Sequence, residues 1–345
     1  MFLMNTWYVA AWPREIEAGK ILARTICNEP MVLFRDEAGA VQALEDRCCH
    51  RQMPLSLGWL EDGTVRCGYH GMRFDGAGKC VEIPGQSNIP PRARVRKYPT
   101  EQRYGWIWVW PGDPAQADTA KIPAIFERMD HPDWTAGGGM TYVKCHYMLL
   151  ADNLLDLTHE TYIHRTSLGN QAVVEHPITV TQTEQGVVVQ RLIPNHEPAP
   201  FWKANLFHKL GKHVMADRWQ IINYQAPGNI VLDVGVTPAG RPRSEGVEGC
   251  NTNALTPETE HSTLYFWGFS RKFNRDDAAL TDKIIANVAN IFLEDKAACE
   301  AVHQVMLRNE GRFVIDINAD QGNILARRLL DRRIAAEQSG ARAAE

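Results

Sequence analysis

The sequence lacks several features that define whole classes of protein. Its 345 residues contain no run of about 18 consecutive apolar residues, the length that a membrane-spanning helix requires. Residues 1–10 lack the basic, apolar and small-residue zones of a signal peptide. The formal net charge is −4, and no long block of Lys and Arg of the kind that binding to nucleic acid requires is present. We therefore expect a cytoplasmic protein whose main partner is neither a membrane nor nucleic acid.

Two further absences concern cofactors and covalent cross-links. No G-x-G-x-x-G motif follows a predicted strand, so no flavin or nicotinamide domain is evident. A chain of this length can bury a large core in two domains without disulfides. The eight cysteines are not expected to form a disulfide framework in a reducing compartment. Most of them are expected to be small buried side chains.

Four residues depart from that expectation. Cys48-x-His50 is followed, after a gap of sixteen residues, by Cys67-x-x-His70. Each half offers one thiolate and one imidazole, which is the ligand set of a Rieske [2Fe–2S] cluster. A zinc site also uses two Cys and two His, but zinc fingers place both Cys in one half and both His in the other. The mixed halves therefore favour the Rieske cluster, and the C-x-H spacing selects Cys48 rather than its neighbour Cys49.

The pattern along the chain predicts two domains. Short apolar runs separated by Gly, Pro and Asp predict an all-β domain over residues 1–118, which ends in a Pro-rich and Ala-rich edge. The second domain, residues 119–345, shows helical patterns at 147–162 and 276–308 and a frayed Ala-rich tail at 334–345. Strands are predicted there at 178–183, 186–192, 218–224, 230–236 and 262–270.

The run of residues 92–97 contains three arginines at alternate positions. As a strand it would place all three on one face. We consider two interpretations, a charged edge strand and a docking face for an acidic electron donor.

A second group of potential ligands lies in the predicted helix 147–162. His159 and His164 are five residues apart, which excludes the H-E-x-x-H motif of zinc proteases. Five steps turn a regular helix so that the two imidazoles point about 140° apart. Sharing one metal ion therefore requires the helix to bulge or end between them. Asp152 and Asp156 are nearby acids that could accept the second N–H of a metal-bound imidazole.

Two histidines and one carboxylate would complete a facial triad, which suits non-haem Fe(II) and O₂. The candidate carboxylate is Asp295, because the predicted helix 276–308 is long enough to pack beside the first helix. Glu294 and Asp316 are rivals for that position.

These motifs together resemble the oxygenase components of the Rieske non-haem iron oxygenases, a family that includes vanillate O-demethylase, dicamba monooxygenase and toluenesulfonate methyl-monooxygenase. The matching stretches are residues 5–10, 54–58, 68–71, 108–114, 152–164 and 255–260. The resemblance implies an α+β protein with an N-terminal all-β Rieske domain and a helix-grip catalytic domain, built from an antiparallel sheet plus helices. It also implies a head-to-tail homotrimer.

The resemblance also implies roles for individual residues. Asp156 would link an iron-bound His to a Rieske His of the neighbouring subunit, and Asn153 would lie close to the iron. Cys49 replaces the proline that the family carries at this position of its first cluster loop. The ligands carried over are Cys48, His50, Cys67 and His70 for the cluster, and His159, His164 and Asp295 for the iron.

The activity implied is O-demethylation of a methoxylated, vanillate-like aromatic acid with release of formaldehyde. O₂ and electrons from a separate flavin and ferredoxin-type reductase would be required. Hydroxylation of an aryl methyl group or ring is the alternative, and a non-catalytic electron-transfer or zinc-binding protein is the third hypothesis. Asp233 and Asn253 align with substrate-facing positions of the dicamba relatives. The anchor for an acid group stays open among His208, His213 and Arg218.

Overall fold

The structure, a computed structural model, describes residues 1–164 and 171–344, with side chains as far as residue 340. The chain forms two compact units. Met1–Ile122 and Thr256–Glu260 make up the first unit, and Pro123–Leu255 and His261–Glu345 make up the second.

The first unit consists of short antiparallel strands and agrees with the all-β prediction. Its strands are β1 (Tyr8–Ala11), β2 (Leu22–Ile26), β3 (Glu29–Arg35), β4 (Val41–Glu45), β5 (Trp59–Glu61), β6 (Thr64–Arg66), β7 (Arg73–Phe74), β8 (Cys80–Glu82), β9 (Lys97–Tyr98), β10 (Thr100–Arg103) and β11 (Trp106–Val109). They form three sheets with the strand orders β1-β11-β10, β2-β3-β4-β9 and β5-β6-β7-β8.

The core of the first unit supports the segments that carry the Cys and His motifs. Cys48 and Cys67 belong to one buried cluster with Leu55, Val65 and Phe74. The second motif lies between the paired strands β6 and β7, and the first lies after β4. Both cysteines therefore pack among close-packed apolar side chains, which fix their positions.

The second unit is built around one large antiparallel sheet. Its strands are β12 (Thr135–Val143), β13 (Ile178–Gln182), β14 (Gly186–His196), β15 (Ala216–Gln225), β16 (Asn229–Pro238), β17 (Val247–Thr259) and β18 (Ser262–Arg271). Their order is β12-β18-β17-β16-β15-β14-β13. The helices are α1 (Tyr147–Leu155), α2 (Ala172–Glu175), α3 (Pro200–Leu210), α4 (Ala278–Arg308) and α5 (Gln321–Ala344). The predicted combination of an antiparallel sheet with helices is confirmed.

The sequence patterns located some elements of this unit and missed others. The five predicted strands correspond to β13–β16 and β18, and the predicted helix 276–308 corresponds to α4. Strand β12 was not predicted, because Gly137, Gly138 and Gly139 have low strand propensity. Helix α4 packs so close to β12 that a Cβ at Gly137 would lie 3.0 Å from Ile285. The absence of a side chain at Gly137 permits that packing.

Two local predictions are wrong. Residues 334–344 continue helix α5 instead of fraying, and Glu345 lies outside the described residues. Residues 92–97 form no continuous strand: Arg94 makes one isolated bridge to Lys79, and only Lys97 belongs to β9. Arg96 instead donates hydrogen bonds to the carbonyl oxygens of Pro111 and Gly112. The Arg96 guanidinium is therefore hydrogen-bonded to the backbone, whereas the edge-strand interpretation expected it to be solvated.

Within the described part of the chain, no helix combines the length and the apolar composition needed to span a bilayer.

Candidate metal centres

The first Cys and His motif forms a tight loop closed by two backbone hydrogen bonds. The Cys48 N–H donates to the Met53 carbonyl oxygen at 2.8 Å, and the Gln52 N–H donates to the Cys48 carbonyl oxygen at 3.0 Å. Gln52 adopts a positive φ of 60°, which is uncommon for a residue other than glycine. This backbone conformation turns the chain back toward the core after His50.

The second motif repeats this backbone arrangement. The Cys67 N–H donates to the Met72 carbonyl oxygen at 2.8 Å, and the Gly71 N–H donates to the Cys67 carbonyl oxygen at 3.0 Å. Gly71 has a φ of 72° at the position that corresponds to Gln52. A Cβ at Gly68 would lie 2.8 Å from the Leu57 carbonyl oxygen, so a side chain there would displace the loop. The two loops therefore have the same backbone hydrogen-bond pattern, with the Cys at the same position in each.

In these two loops the thiols are buried and the imidazoles are exposed. Cys48 and Cys67 are 2% and 1% exposed. Burial, reinforced by the adjacent Cys67 thiol, raises the pKa of Cys48 to about 11. His50 and His70 are exposed, with ring centroids 4.6 Å apart. Two sulfurs on the core side and two imidazoles on the surface side fit the donor set of a Rieske cluster.

The second group of ligands depends on where helix α1 ends. Its last residue is Leu155, and Asp156 adopts an extended conformation with φ −112° and ψ 93°. The Asp156 carboxylate accepts a hydrogen bond from the Thr158 N–H at 2.8 Å and caps the 3-10 segment Leu157–Thr161. Helix α1 thus ends before both histidines, and the 3-10 segment that carries His159 ends before His164, so no regular helix connects the two imidazoles.

The structure brings His159, His164 and Asp295 together. One ligand atom from each lies within 4.8 Å of the other two. Asp295 Oδ1 is 3.4 Å from His159 Nε2 and 3.1 Å from His164 Nε2. Two imidazoles and one carboxylate that converge in this way match the facial triad of non-haem Fe(II) sites. Asp316, one rival for the carboxylate position, is exposed.

The other rival, Glu294, contacts the outer nitrogen of a histidine. His164 Nδ1 lies 2.6 Å from Glu294 Oε2, and His159 Nδ1 lies 2.6 Å from the Asp156 backbone oxygen. These contacts orient both Nε2 atoms toward Asp295. Although burial opposes the charged form of His164, the carboxylates of Asp295 and Glu294 raise its pKa to about 9. The site thus stabilises a positive charge, which a metal ion would supply in place of the proton.

The remaining predicted residues of helix α1 have different partners. Asp152, considered as an acceptor for a histidine, instead pairs with Arg327 on α5. Asn153 donates from Nδ2 to Asp295 Oδ1 at 3.2 Å, which places its amide beside the group of ligands.

A cavity of about 200 Å³ adjoins the group of His159, His164 and Asp295. It lies in the second unit, and most of its lining is apolar or aromatic. The lining residues that bear on the site are Leu154, Leu157, Phe201, Trp202, Leu232, Val234, Phe269, Ile284, Val288, Ile291 and Phe292, with the polar residues Glu160, Arg218, Asn251 and Asn287.

Strand alternation explains which residues reach this cavity. On β16, Leu232 and Val234 line it, so Asp233 belongs to the opposite face of the sheet. The Asp233 carboxylate accepts from Trp219 Nε1 at 3.0 Å and lies 3.4 Å from Arg128. It is not among the lining residues.

The other residues predicted to contact substrate also differ in position. Asn253 is buried and accepts a hydrogen bond from the Tyr265 hydroxyl at 2.6 Å, and it does not line the cavity either. His208 and His213 are exposed and outside the lining. Of the three candidates for an acid anchor, Arg218 is the one that lines the cavity.

Sequence reasoning missed the partner of that arginine. Glu160 is 5% exposed and accepts hydrogen bonds from Arg218 Nη2 at 3.2 Å and from Gln220 Nε2 at 2.9 Å. Glu160 directly follows His159, and a carboxylate on an inward-facing segment requires a buried partner. The position of Glu160 next to His159 could have indicated that a buried partner exists. It could not identify Arg218, which lies 58 residues away in the sequence.

Comparison with known proteins supports both centres. Residues 6–99 match the Rieske [2Fe–2S] domain, and residues 143–336 match the vanillate O-demethylase oxygenase C-terminal domain. The chain is 41% identical over 350 residues to a vanillate O-demethylase oxygenase subunit from Pseudomonas sp. (strain HR199 / DSM 7063), covering 100% of this chain and 98% of the relative.

Two further relatives agree over nearly the full length. The iron-sulfur subunit of the toluene-4-sulfonate monooxygenase system of Comamonas testosteroni is 39% identical, with 99% of each chain covered. A crystal structure of dicamba monooxygenase with non-haem iron and dicamba superposes with a TM-score of 0.85 and 33% identity, covering 98% of this chain and 99% of that one.

The two domains and their ligand sets define a Rieske-type oxygenase component, an enzyme that carries a [2Fe–2S] cluster and a mononuclear non-haem iron. Within that class, the chain belongs to the vanillate O-demethylase oxygenase family.

The adjacent cysteines provide a matched test of the cluster ligands. Cys48→Ser is expected to abolish the visible absorption and the acid-labile sulfide of the cluster, because the buried thiolate next to Cys67 is lost. Cys49→Ser removes an exposed thiol and is expected to retain both signals. Loss of the cluster in the Cys49 variant alone would reverse the assignment.

A second test separates the iron ligands from the cluster. His159→Ala is expected to lose the mononuclear iron but to keep the two irons and the sulfide of the cluster, measured by metal and sulfide analysis. Glu294→Gln keeps all three ligands and disturbs only their orientation, so iron affinity is expected to fall by about 10–100-fold. Full iron content in His159→Ala would contradict the ligand set.

Proposed function

We propose that this chain is the terminal oxygenase that O-demethylates a small methoxylated aromatic acid resembling vanillate. The observation that carries the proposal is the convergence of His159, His164 and Asp295 beside a small cavity with a largely apolar and aromatic lining. Sites of this composition bind flat apolar ligands and orient them with a few polar groups. Phe201 and Trp202 supply aromatic surface, and Arg218 and Glu160 supply charge.

The size of the cavity restricts the ligand. Pockets for drug-sized molecules usually enclose about 300–1,000 Å³. A volume of about 200 Å³ suits one substituted ring. The relatives agree with this restriction, since one is named a vanillate O-demethylase and another binds dicamba.

The proposed reaction converts an aryl methyl ether, O₂, two electrons and two protons into a phenol, formaldehyde and water. The mononuclear iron supplies O₂ activation when bound, since a facial triad leaves coordination positions open. Glu294 and Asp156 hold the two histidines in orientation. The apolar residues of the cavity exclude water from the site, and Arg218 offers a fixed charge for orienting the substrate.

The electrons require a further protein, for which we propose a separate reductase that contains a flavin and a ferredoxin-type centre. The names of the relatives support this proposal, because they describe an oxygenase subunit and the iron-sulfur subunit of a monooxygenase system. We further propose that the chain acts in the cytoplasm as a homotrimer. None of the eight cysteines, all of which lie among the described residues, forms a disulfide, which agrees with a reducing compartment.

Hydroxylation of an aryl methyl group is the second candidate function. The toluene-4-sulfonate relative supports it, and the same iron site could oxidise either C–H bond. The two functions differ in product, because a methyl ether releases formaldehyde and an aryl methyl group gives a benzylic alcohol.

The products of a substrate panel test the proposed function. Incubation with vanillate, NADH, O₂ and a reductase is expected to yield one formaldehyde for each vanillate consumed. A parallel incubation with p-toluenesulfonate is expected to yield less product. A benzylic alcohol from the sulfonate, with no formaldehyde from any methoxylated acid, would replace the first function by the second.

The proposed role of Asp156 in linking the two centres has its own test. Asp156→Asn keeps the size of the side chain and an oxygen that can cap the Thr158 N–H, so both metal centres are expected to load. Formaldehyde release is expected to be abolished, because the negative charge of the link is removed. Near-normal release with full metal content would show that Asp156 only caps the 3-10 segment.

A further inference from the structure

Arg218 is a buried cation in the cavity beside the iron ligands. It is 5% exposed and is the one Lys or Arg among the described residues that line the cavity. Strand β15 places it and Gln220 on the cavity face, whereas Trp219 between them faces the opposite side. The backbone of a central strand therefore holds Arg218 in place.

The hydrogen bonds of this guanidinium are incomplete. Nη2 donates to Glu160 at 3.2 Å, but Nε and Nη1 are buried and have no hydrogen-bond partner among the described residues. An unsatisfied buried donor costs about 1–3 kcal/mol, and more when the group is charged. Buried polar groups without a partner are rare in folded proteins. These N–H groups therefore call for an acceptor that enters the cavity.

The surroundings of Arg218 favour an anion as that acceptor. Glu160 engages one nitrogen and is itself held by Gln220 Nε2 at 2.9 Å, so it positions the guanidinium and leaves the other nitrogens free to donate. Hydrogen bonds between a guanidinium and a carboxylate or sulfonate are roughly twice as strong as neutral ones. The apolar lining strengthens them further by lowering the local dielectric constant.

We propose that Arg218 binds the anionic group, a carboxylate or a sulfonate, of the aromatic substrate. Arg218 thereby selects aromatic acids over neutral analogues of the same shape. This inference rests on the proposed function, in that it assigns a specificity residue to the same substrate cavity.

Binding of matched ligands to the metal-loaded protein tests the inference. Titration calorimetry without O₂ compares vanillate with vanillyl alcohol, which replaces the carboxylate by a neutral CH₂OH group. Arg218→Gln is expected to weaken vanillate binding by roughly 10–100-fold and to change vanillyl alcohol binding by less than about threefold. Arg218→Lys is expected to restore part of the loss, because it keeps the charge.

A control variant removes the same charge outside the cavity. Arg243 stacks over the ring of Trp219, on the opposite face of β15, and is absent from the cavity lining. Arg243→Gln is expected to leave the preference for vanillate unchanged. An equal loss of preference in this control would indicate a general charge effect and overturn the role of Arg218.

Folding is controlled separately, because Arg218→Gln leaves Glu160 buried without its cation. The double variant Glu160→Gln with Arg218→Gln removes both charges, and its thermal midpoint and cluster spectrum check integrity. It is expected to show the same selective loss of vanillate binding. Equal weakening for vanillate and vanillyl alcohol in both variants would reduce Arg218 to a structural residue.

The binding and product measurements together distinguish failure of the proposed reaction from failure of the proposed anion site. If the wild type binds vanillate through Arg218 but no methoxylated acid yields formaldehyde, the proposed reaction fails and the anion site stands. If formaldehyde is released but the Arg218 variants keep the preference for acids, the anion site fails and the reaction stands. A parallel titration with p-toluenesulfonate shows whether the site prefers a carboxylate or a sulfonate.

Discussion

The end of helix α1 is the constraint on which the catalytic unit depends. Two histidines five residues apart cannot point at one atom from a regular helix. The chain resolves this conflict at Asp156, which leaves the helical conformation and caps the 3-10 segment through its side chain. Asp295 on α4 then meets both imidazoles, and the Asp156 backbone oxygen orients His159. Helix α4 packs against β12 beside Gly137, where an added Cβ would lie 3.0 Å from Ile285.

The two centres differ in how burial and neighbouring charges act on their candidate ligands. In the predicted cluster loops, Cys48 and Cys67 are buried, and burial raises the pKa of the Cys48 thiol. An iron–sulfur cluster balances that cost. In the catalytic unit, Asp295 and Glu294 surround His164 and favour a cation. In both centres, the positive charge of bound iron would offset the negative charge of the side chains that converge on it.

Sequence reasoning was most direct where the candidate ligands lie close together along the chain. The Cys and His spacings specified the cluster loops, and the five-residue spacing of His159 and His164 required the helix to end. It was less informative where a contact joins distant strands, because register is not encoded locally. A shift of one residue reverses every side chain in a strand. Asp233 was expected to face substrate, whereas its neighbours Leu232 and Val234 line the cavity. The Glu160–Arg218 pair likewise depends on long-range packing.

The position of Glu160 has a consequence for how such an enzyme could change over evolutionary time. The residue directly after a metal ligand is tied to the cavity arginine, so replacing Arg218 alone leaves a buried carboxylate without its cation. Replacing Glu160 alone frees a guanidinium next to the iron ligands. If Arg218 binds the acid group as proposed, a lineage that moves from charged to neutral substrates would be expected to exchange both residues, while His159 stays unchanged.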